Sequence, residues 1–301
     1  MMSWQLSTPT TELQWQQYYE LRYQVLRAPW GQPRGSERDE LEADAFHAMV
    51  QEQGQVLAVG RLHRLADGRA QVRYMAVSEA ARGRGFGAIV LARLEQQAVQ
   101  WGCGGIVLNA RENAVGFYKK QHYLPGAVQP PLYGIPHHQM HKTLRMQGEQ
   151  SQWQDWCHTL QNTWHQTIPL SAFMQLQIHA FDGYQLQCQA PLAPNINLHQ
   201  TMFAGSIYTL LTLTGWGLVY LQLQALQVQG DIVLADADVR YLKPVTDGAI
   251  ATARLMDVDG ELSPLIAGRR ARQSVLVELH HQGLLLASFR GRFAVLPRSD
   301  A

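Results

Sequence analysis

Six residues, Arg82-Gly83-Arg84-Gly85-Phe86-Gly87, have the composition of a loop that binds phosphate. Glycines accept positive φ and let the main chain approach a ligand, while the free N–H groups that open a helix face an anion. The flanking segments suit that use. Val72 to Val77 is β-branched and aromatic enough to predict a strand, and Val90, Leu94, Ala98 and Trp101 recur at helical spacing. Strand, glycine loop and helix therefore follow in order. A P-loop needs Lys and then Ser/Thr after the last glycine, but Ala88 and Ile89 stand there. A dinucleotide fingerprint is formally present as Gly83-x-Gly85-x-x-Ala88. It lacks the acid expected about 20 residues on at the next strand's end, where Gly105 to Leu108 runs into Asn109.

A third reading joins Arg82, Gly85 and Gly87 to Asn113-Ala114-Val115-Gly116-Phe117-Tyr118. With these residues the first half of the chain resembles the GNAT N-acetyltransferases, whose signature is Arg/Gln-x-x-Gly-x-Gly/Ala, then a strand, then an Asn…Phe-Tyr helix. The resemblance implies acetyl-CoA as substrate, its pyrophosphate held by backbone N–H groups from Gly83 to Gly87, with Arg82 and Arg84 adding charge at the rim. It also implies contacts to the cofactor from Met75, Val77 and Phe86, a bond from Asn113 to the pantetheine arm, and Tyr118 as the acid that protonates the departing thiolate. A phenol suits that step because its ordinary pKa lies near a thiol's. Val72 to Val77 holds no carboxylate, so the amine's proton is expected to leave through water, a carbonyl, or a loop acid such as Glu112. Upstream, Leu21 to Arg27 is helical in pattern, and Trp30 to Asp44 is an acid-rich, Gly/Pro-broken loop before a strand at Phe46 to Gln51. Its Ser36, Glu37, Asp39, Glu40 and Asp44 either attract a cationic amine or form a solvated acidic loop.

At 301 residues, 46% hydrophobic and 16% charged, the chain is long enough for two cores. A net charge of +1 gives no global reason for nucleic-acid binding. A mean hydropathy of -0.20 without a long apolar N-terminus predicts a cytoplasmic, non-membrane protein. Cys103, Cys157 and Cys188 are odd in number and widely spaced, so no disulfide framework, zinc site or catalytic thiol is expected. His137, His138 and His141 lie in a strand-like run, and no metal is expected there. Met146 to Gln154 is polar and aperiodic, which sets the expected domains at 1–146 and 155–301 with a linker at 147–154.

The second half predicts a Gln-rich helix from Trp153 to Thr167, a hairpin from Met174–His179 to Gly183–Ala190, and a long apolar helix from Thr201 to Leu223. Strands follow at 232–242, 249–256, 273–281 and 284–295. One buried helix and then antiparallel strands resembles the hotdog fold, and Arg240-Tyr241-Leu242-Lys243-Pro244-Val245 is similar to its Tyr-Leu-x-Pro-like turn. The expected fold is thus α+β in two domains, GNAT then hotdog.

Asn197 and Thr201, ahead of the long helix, with its first N–H groups, could form an oxyanion hole for a thioester carbonyl, or could simply cap the helix. Thr201 to Leu223 contains no acid to activate water for hydrolysis. Decarboxylation of a malonyl thioester, which needs donors for an enolate and a dry pocket, fits better. The two-domain order resembles a bacterial family of fused acetyltransferase–thioesterase proteins, some of whose relatives are malonyl-acyl-carrier-protein decarboxylases that prime fatty acid synthesis. That resemblance implies acyl carrier protein or acyl-CoA as partner, a phosphopantetheine arm as carrier of the substrate, a homodimer through the hotdog half, and a basic rim for which Arg269, Arg270 and Arg272 are candidates. Hydrolysis of acyl-CoA by Asp231, Asp236 or Asp238 across a dimer interface is the rival.

Overall fold

Residues 4–298 are described by a computed structural model, which divides into two units, Met1–Leu144 and Arg145–Ala301. The first contains β1 (Trp4–Ser7), α1 (Glu12–Leu26), β2 (Phe46–Glu52), β3 (Gln55–Arg64), β4 (Ala70–Val77), α2 (Phe86–Gln100), β5 (Gly105–Arg111), α3 (Val115–Lys120), β6 (Leu124–Leu132) and β7 (Ile135–Thr143). Its seven strands are ordered β1-β2-β3-β4-β5-β7-β6. Tyr18 and Leu21 of α1 pack on Met49, Val59 and Ala76, while Val90, Leu91, Leu94 and Ala98 of α2 are buried.

What positions a site here is a fork. The parallel pair β4–β5 is hydrogen-bonded only from Ala70↔Ile106 to Val72↔Leu108. Beyond that, Asn109 to Arg111 pair with β7 on the far side. The edge of β4 from Arg73 to Val77 that faces β5 is left open. A bulge bends β4 at this place: Val59 faces Ala76 but Arg61 faces Arg73, so Tyr74 and Met75 together oppose Gly60. Tyr74 takes a left-handed φ of 56° to do so. Gly60 is the residue that the bulge requires, since an added Cβ would lie 2.5 Å from Met75 Sδ and 2.9 Å from Val90.

The second unit contains α4 (Gln150–Thr167), α5 (Pro169–Phe173), β8 (Gln177–Phe181), β9 (Gln185–Gln189), α6 (Ala204–Leu226), β10 (Gly230–Tyr241), β11 (Ile250–Glu261), β12 (Ala271–His281) and β13 (Leu284–Pro297). All neighbours in its sheet are antiparallel, in the order β10-β13-β12-β11-β9-β8. The sheet wraps α6, the hotdog arrangement. By length and composition α6 could cross a bilayer, but Leu210, Leu211, Leu218, Val219 and Leu221 are fully buried in the core of this unit.

Two expectations need correction. The helix placed at Thr201 begins at Ala204. The segment expected to be linker is partly helix: α4 starts at Gln150, and its Trp153, Leu160 and Trp164 are buried. A polar Gln-rich run hides an amphipathic stripe whose apolar members fall seven and four residues apart.

Candidate functional site

The glycine loop has the conformation its composition predicts. Gly83 and Gly85 stand at φ 78° and 82°, and Gly85 is the left-handed residue from which α2 starts, with no side chain capping it. The first-turn N–H groups of α2 and its positive dipole end are thus available to an anion. Phe86 contributes only its backbone, because its ring is buried edge-on to Trp4 at 5.9 Å. Arg82 is exposed beside the loop. Arg84 is not a free rim charge: it donates twice to Glu52 at 2.8 and 2.9 Å.

The fork encloses a cavity of about 450 Å³ lined by Met75, Leu108, Ala110, Ala114 and Tyr118, among others. Tyr118 is 7% exposed, and burial pushes its phenol above the ordinary tyrosine range. Its hydroxyl bonds to none of the described residues and stays protonated, but burial moves its pKa away from a thiol's rather than toward it, which weakens the match expected from the sequence. Val77 and Asn113 are not in the lining. Val77 pairs with Ala58, and Asn113 is exposed on the turn Glu112–Ala114. Glu112, a candidate proton acceptor, is exposed and paired with His138.

The acid-rich loop is partly neutralised from within: Glu37, Asp39 and Glu42 are engaged, while Glu40 and Asp44 are exposed. Asp39 receives Arg61, Arg73 at 2.9 Å and the Tyr74 hydroxyl at 3.1 Å. Although burial pushes its pKa up, the bonds from Arg61 and the Leu41 N–H, with the charges of Arg61 and Arg73, hold it well below the usual carboxylate range. Glu42 is taken by Arg22 at 2.9 Å and by Arg61 at 2.6 Å. The lining holds no carboxylate: beside the uncharged Gln71, Asn109 and Gln129 it has Arg27, Arg73, Arg111 and His137. Sequence reasoning missed these because they sit just after α1, at the end of β5, near the start of β7 and in mid-β4 where the strands part, and only the topology gathers them.

In the second unit the loop 195–203 leads into α6. Asn195 is 2% exposed, donates to the Met174 and Pro191 carbonyls at 2.9 and 2.8 Å, and has a buried Oδ1 without a partner. Its carbonyl accepts Phe203 N–H at 2.7 Å. Asn197 and Thr201 are brought together but spend themselves on each other: Asn197 Nδ2 donates to Thr201 Oγ1 at 3.1 Å, and Asn197 Oδ1 accepts from His199 N–H at 2.8 Å. Neither caps α6, whose N-cap is Phe203 with no side-chain bond. The first-turn N–H groups are the donors this arrangement offers. The turn after β10 abuts them, as Tyr241 donates to Ala204 O at 3.2 Å and Met202 N–H to Val245 O at 2.8 Å.

Arg269, Arg270 and Arg272 do not rim that entrance within one chain. Ala271 is in register with Val295, and Val295 with Ile232 at the start of β10, whereas the α6 N-terminus meets Tyr241 at its end. A cavity of about 810 Å³ also lies at the distant end, lined by Trp156, Trp216, Tyr220 and Gly230. Asp236 and Asp231 are paired with Arg292 and Arg298.

A family model described as "Acetyltransferase (GNAT) family" matches residues 12–123, and one described as "Putative thioesterase (yiiD_Cterm)" matches residues 157–297. The "Uncharacterized N-acetyltransferase YjcF" of Bacillus subtilis (strain 168) is 34% identical over 125 residues, 41% of this chain and 89% of that protein. Among solved structures, the "putative thioesterase from Shewanella oneidensis" is 52% identical over 48% of this chain and 99% of its own, with a TM-score of 0.46. An "Acyl-CoA N-acyltransferase from Pseudomonas aeruginosa" is 25% identical over 47% of this chain and 99% of its own, with a TM-score of 0.41.

Proposed function

The chain belongs to the proteins that join a GNAT acetyltransferase domain to a yiiD_Cterm thioesterase-family domain, and from that premise we propose that both units act on acyl thioesters, the first carrying acetyl from acetyl-CoA to an amine. The observation that supports this most is the parting of β4 and β5 beyond Val72 and Leu108. The open edge from Arg73 to Val77 offers main-chain groups to the amides of a pantetheine arm, which lies there as a strand would. Met75 and Val77 act through that backbone, the uncapped start of α2 takes the pyrophosphate with Arg82 beside it, and Asn113 meets the arm from α3's entry. The amine nitrogen attacks the acetyl carbon, the C–N bond forms as the C–S bond breaks, and the thiolate takes the proton of Tyr118. The amine's own proton leaves to water, because no carboxylate lines the fork, and solvent returns a proton to Tyr118. Calorimetric titration of CoA into the protein is expected to give one site per chain; absence of binding contradicts this reading.

A second reading concerns the other unit. An α6 N-terminus that is uncapped, and a helix with no Asp or Glu along its length, support decarboxylation of malonyl-acyl carrier protein over hydrolysis. The C–C bond to the carboxylate breaks, carbon dioxide leaves, and the electron pair becomes an enolate whose oxygen accepts the first-turn N–H groups. Protonation of the enolate carbon from solvent yields the acetyl thioester. Asn197 and Thr201 shape the loop that holds these donors. Of the hydrolytic rivals, Asp231 and Asp236 are engaged by arginines, while Asp238 is exposed on β10. Mass spectrometry of malonyl-carrier protein incubated with the enzyme is expected to show acetyl-carrier protein; released malonate, or no product, refutes it. The unpaired edge of β10 joins its counterpart in a second copy, so light scattering is expected to give twice the 33.9 kDa chain mass.

A further inference from the structure

Two arginines at the acceptor end of the fork have no acid to answer them. Arg27, 7% exposed at the end of α1, donates through Nε to the Ser36 carbonyl at 2.8 Å and through Nη1 to the Leu26 carbonyl at 3.0 Å. Arg111, at the end of β5, donates to that same Leu26 carbonyl at 3.0 Å. Among the described residues no carboxylate pairs with either. Both line the cavity that holds Tyr118. Aromatic rings fix them: Arg111 lies over Trp30 at 4.1 Å, and Arg27 over Tyr74 and Tyr133 at 5.4 and 5.3 Å. The third arginine of the lining, Arg73, has its charge answered by Asp39. Burial and the charge of Arg27 both depress the Arg111 pKa, as expected of like charges brought together out of water.

Such a pair is costly alone and becomes favourable once an oxyanion sits between its members. None of the cavity's lining comes from the glycine loop 82–87, so this charge is separate from the pyrophosphate cradle. We infer that the acceptor amine carries a carboxylate, as an amino acid does, and that Arg27 and Arg111 hold it so that its nitrogen reaches the acetyl carbon. This rests on the acetyl-transfer reading above. It also explains how the site manages without a dedicated base. A positive pocket disfavours the ammonium form of the acceptor and releases the neutral nucleophile, which an acidic trap for cations would oppose.

The test uses the full chain. CoA binding is measured first by calorimetry; if CoA does not bind, the acetyl-transfer reading fails and this inference with it. On the CoA-bound protein, the twenty N-acetyl amino acids and their C-terminal amides are then titrated, and the free amino acids and their amides are assayed as acceptors by thiol release. At least one acid is expected to bind and react about tenfold or more better than its amide, the scale of one charge-assisted hydrogen bond. Arg111→Gln is expected to erase that preference and Arg111→Lys to restore part of it. If CoA binds but no acid exceeds its amide in either measurement, or Arg111→Gln keeps the preference, the inference is overturned while the acetyl-transfer reading stands.

Discussion

Tyr118→Phe separates catalysis from folding more cleanly than any other change in the first unit. The ring is buried beside Phe117 and Tyr123, at 5.0 and 5.7 Å between centroids, and phenylalanine keeps that packing. The hydroxyl makes no hydrogen bond to the described residues, so deleting it leaves no orphaned partner; stability is expected to move by less than about 0.5 kcal/mol. The chemical cost should be much larger. A positioned general acid contributes roughly 10² to 10⁴ in rate, so loss of about a hundredfold in kcat, near 2.7 kcal/mol of activation free energy, is the lower expectation. Because the Tyr118 pKa lies above its ordinary value, the phenol stays protonated through the neutral and mildly alkaline range. The wild-type rate is therefore expected to show no falling limb from this group below about pH 10. Thiol release from acetyl-CoA with the best acceptor gives kcat, and a melting curve gives stability. Wild-type kcat in the variant, or a loss of rate matched by a loss of folding, refutes the assignment.

Three other perturbations probe what supports the site. Gly85→Ala puts a side chain at φ 82° in open space, so it is expected to strain the loop by about 1–2 kcal/mol and weaken CoA about tenfold or more with the fold intact; unaltered affinity by calorimetry counts against the cradle. Gly60→Ala drives a Cβ into Met75 and Val90 opposite the bulge and is expected to cost about 1–3 kcal/mol in denaturant unfolding, whereas a neutral result means that the bulge does not depend on this glycine. Asp39 is depressed in the folded state, so its contribution is complete above the unfolded carboxylate pKa and is lost as pH falls through the lower folded value. Melting temperatures from neutral pH into the acid range should fall less steeply for Asp39→Asn than for wild type, and parallel curves contradict the ion-pair account.

The parts of this molecule written in local sequence were readable before any coordinates. The glycines at 83 and 85 sit between a strand and a helix of clear pattern, and the acid-free apolar stretch from Thr201 to Leu223 reads as a buried helix once antiparallel strands follow it. Features that depend on distant partners were not. Nothing near Arg84 announces that Glu52, two strands away in chain order, takes up its charge. Arg27 and Arg111 are 84 positions apart in the chain and meet only because β4 and β5 diverge. Thr201 looked helical because apolar residues surround it, yet its bonds with Asn197 close a separate turn, and the helix waits for Ala204. The Gln-rich helix was legible from Trp153, but its start at Gln150 was not, because a stripe of three buried residues is sparse among so many glutamines.

Hydrogen exchange with and without CoA addresses the central claim most directly, since it reads the whole chain at once. Slowed exchange is predicted in 73–77, 83–89 and 108–118, the open edge of β4, the glycine loop with the start of α2, and the far wall of the fork. Binding with no protection in those segments, or no binding at all, would contradict the assignment of the fork as the acyl-donor site.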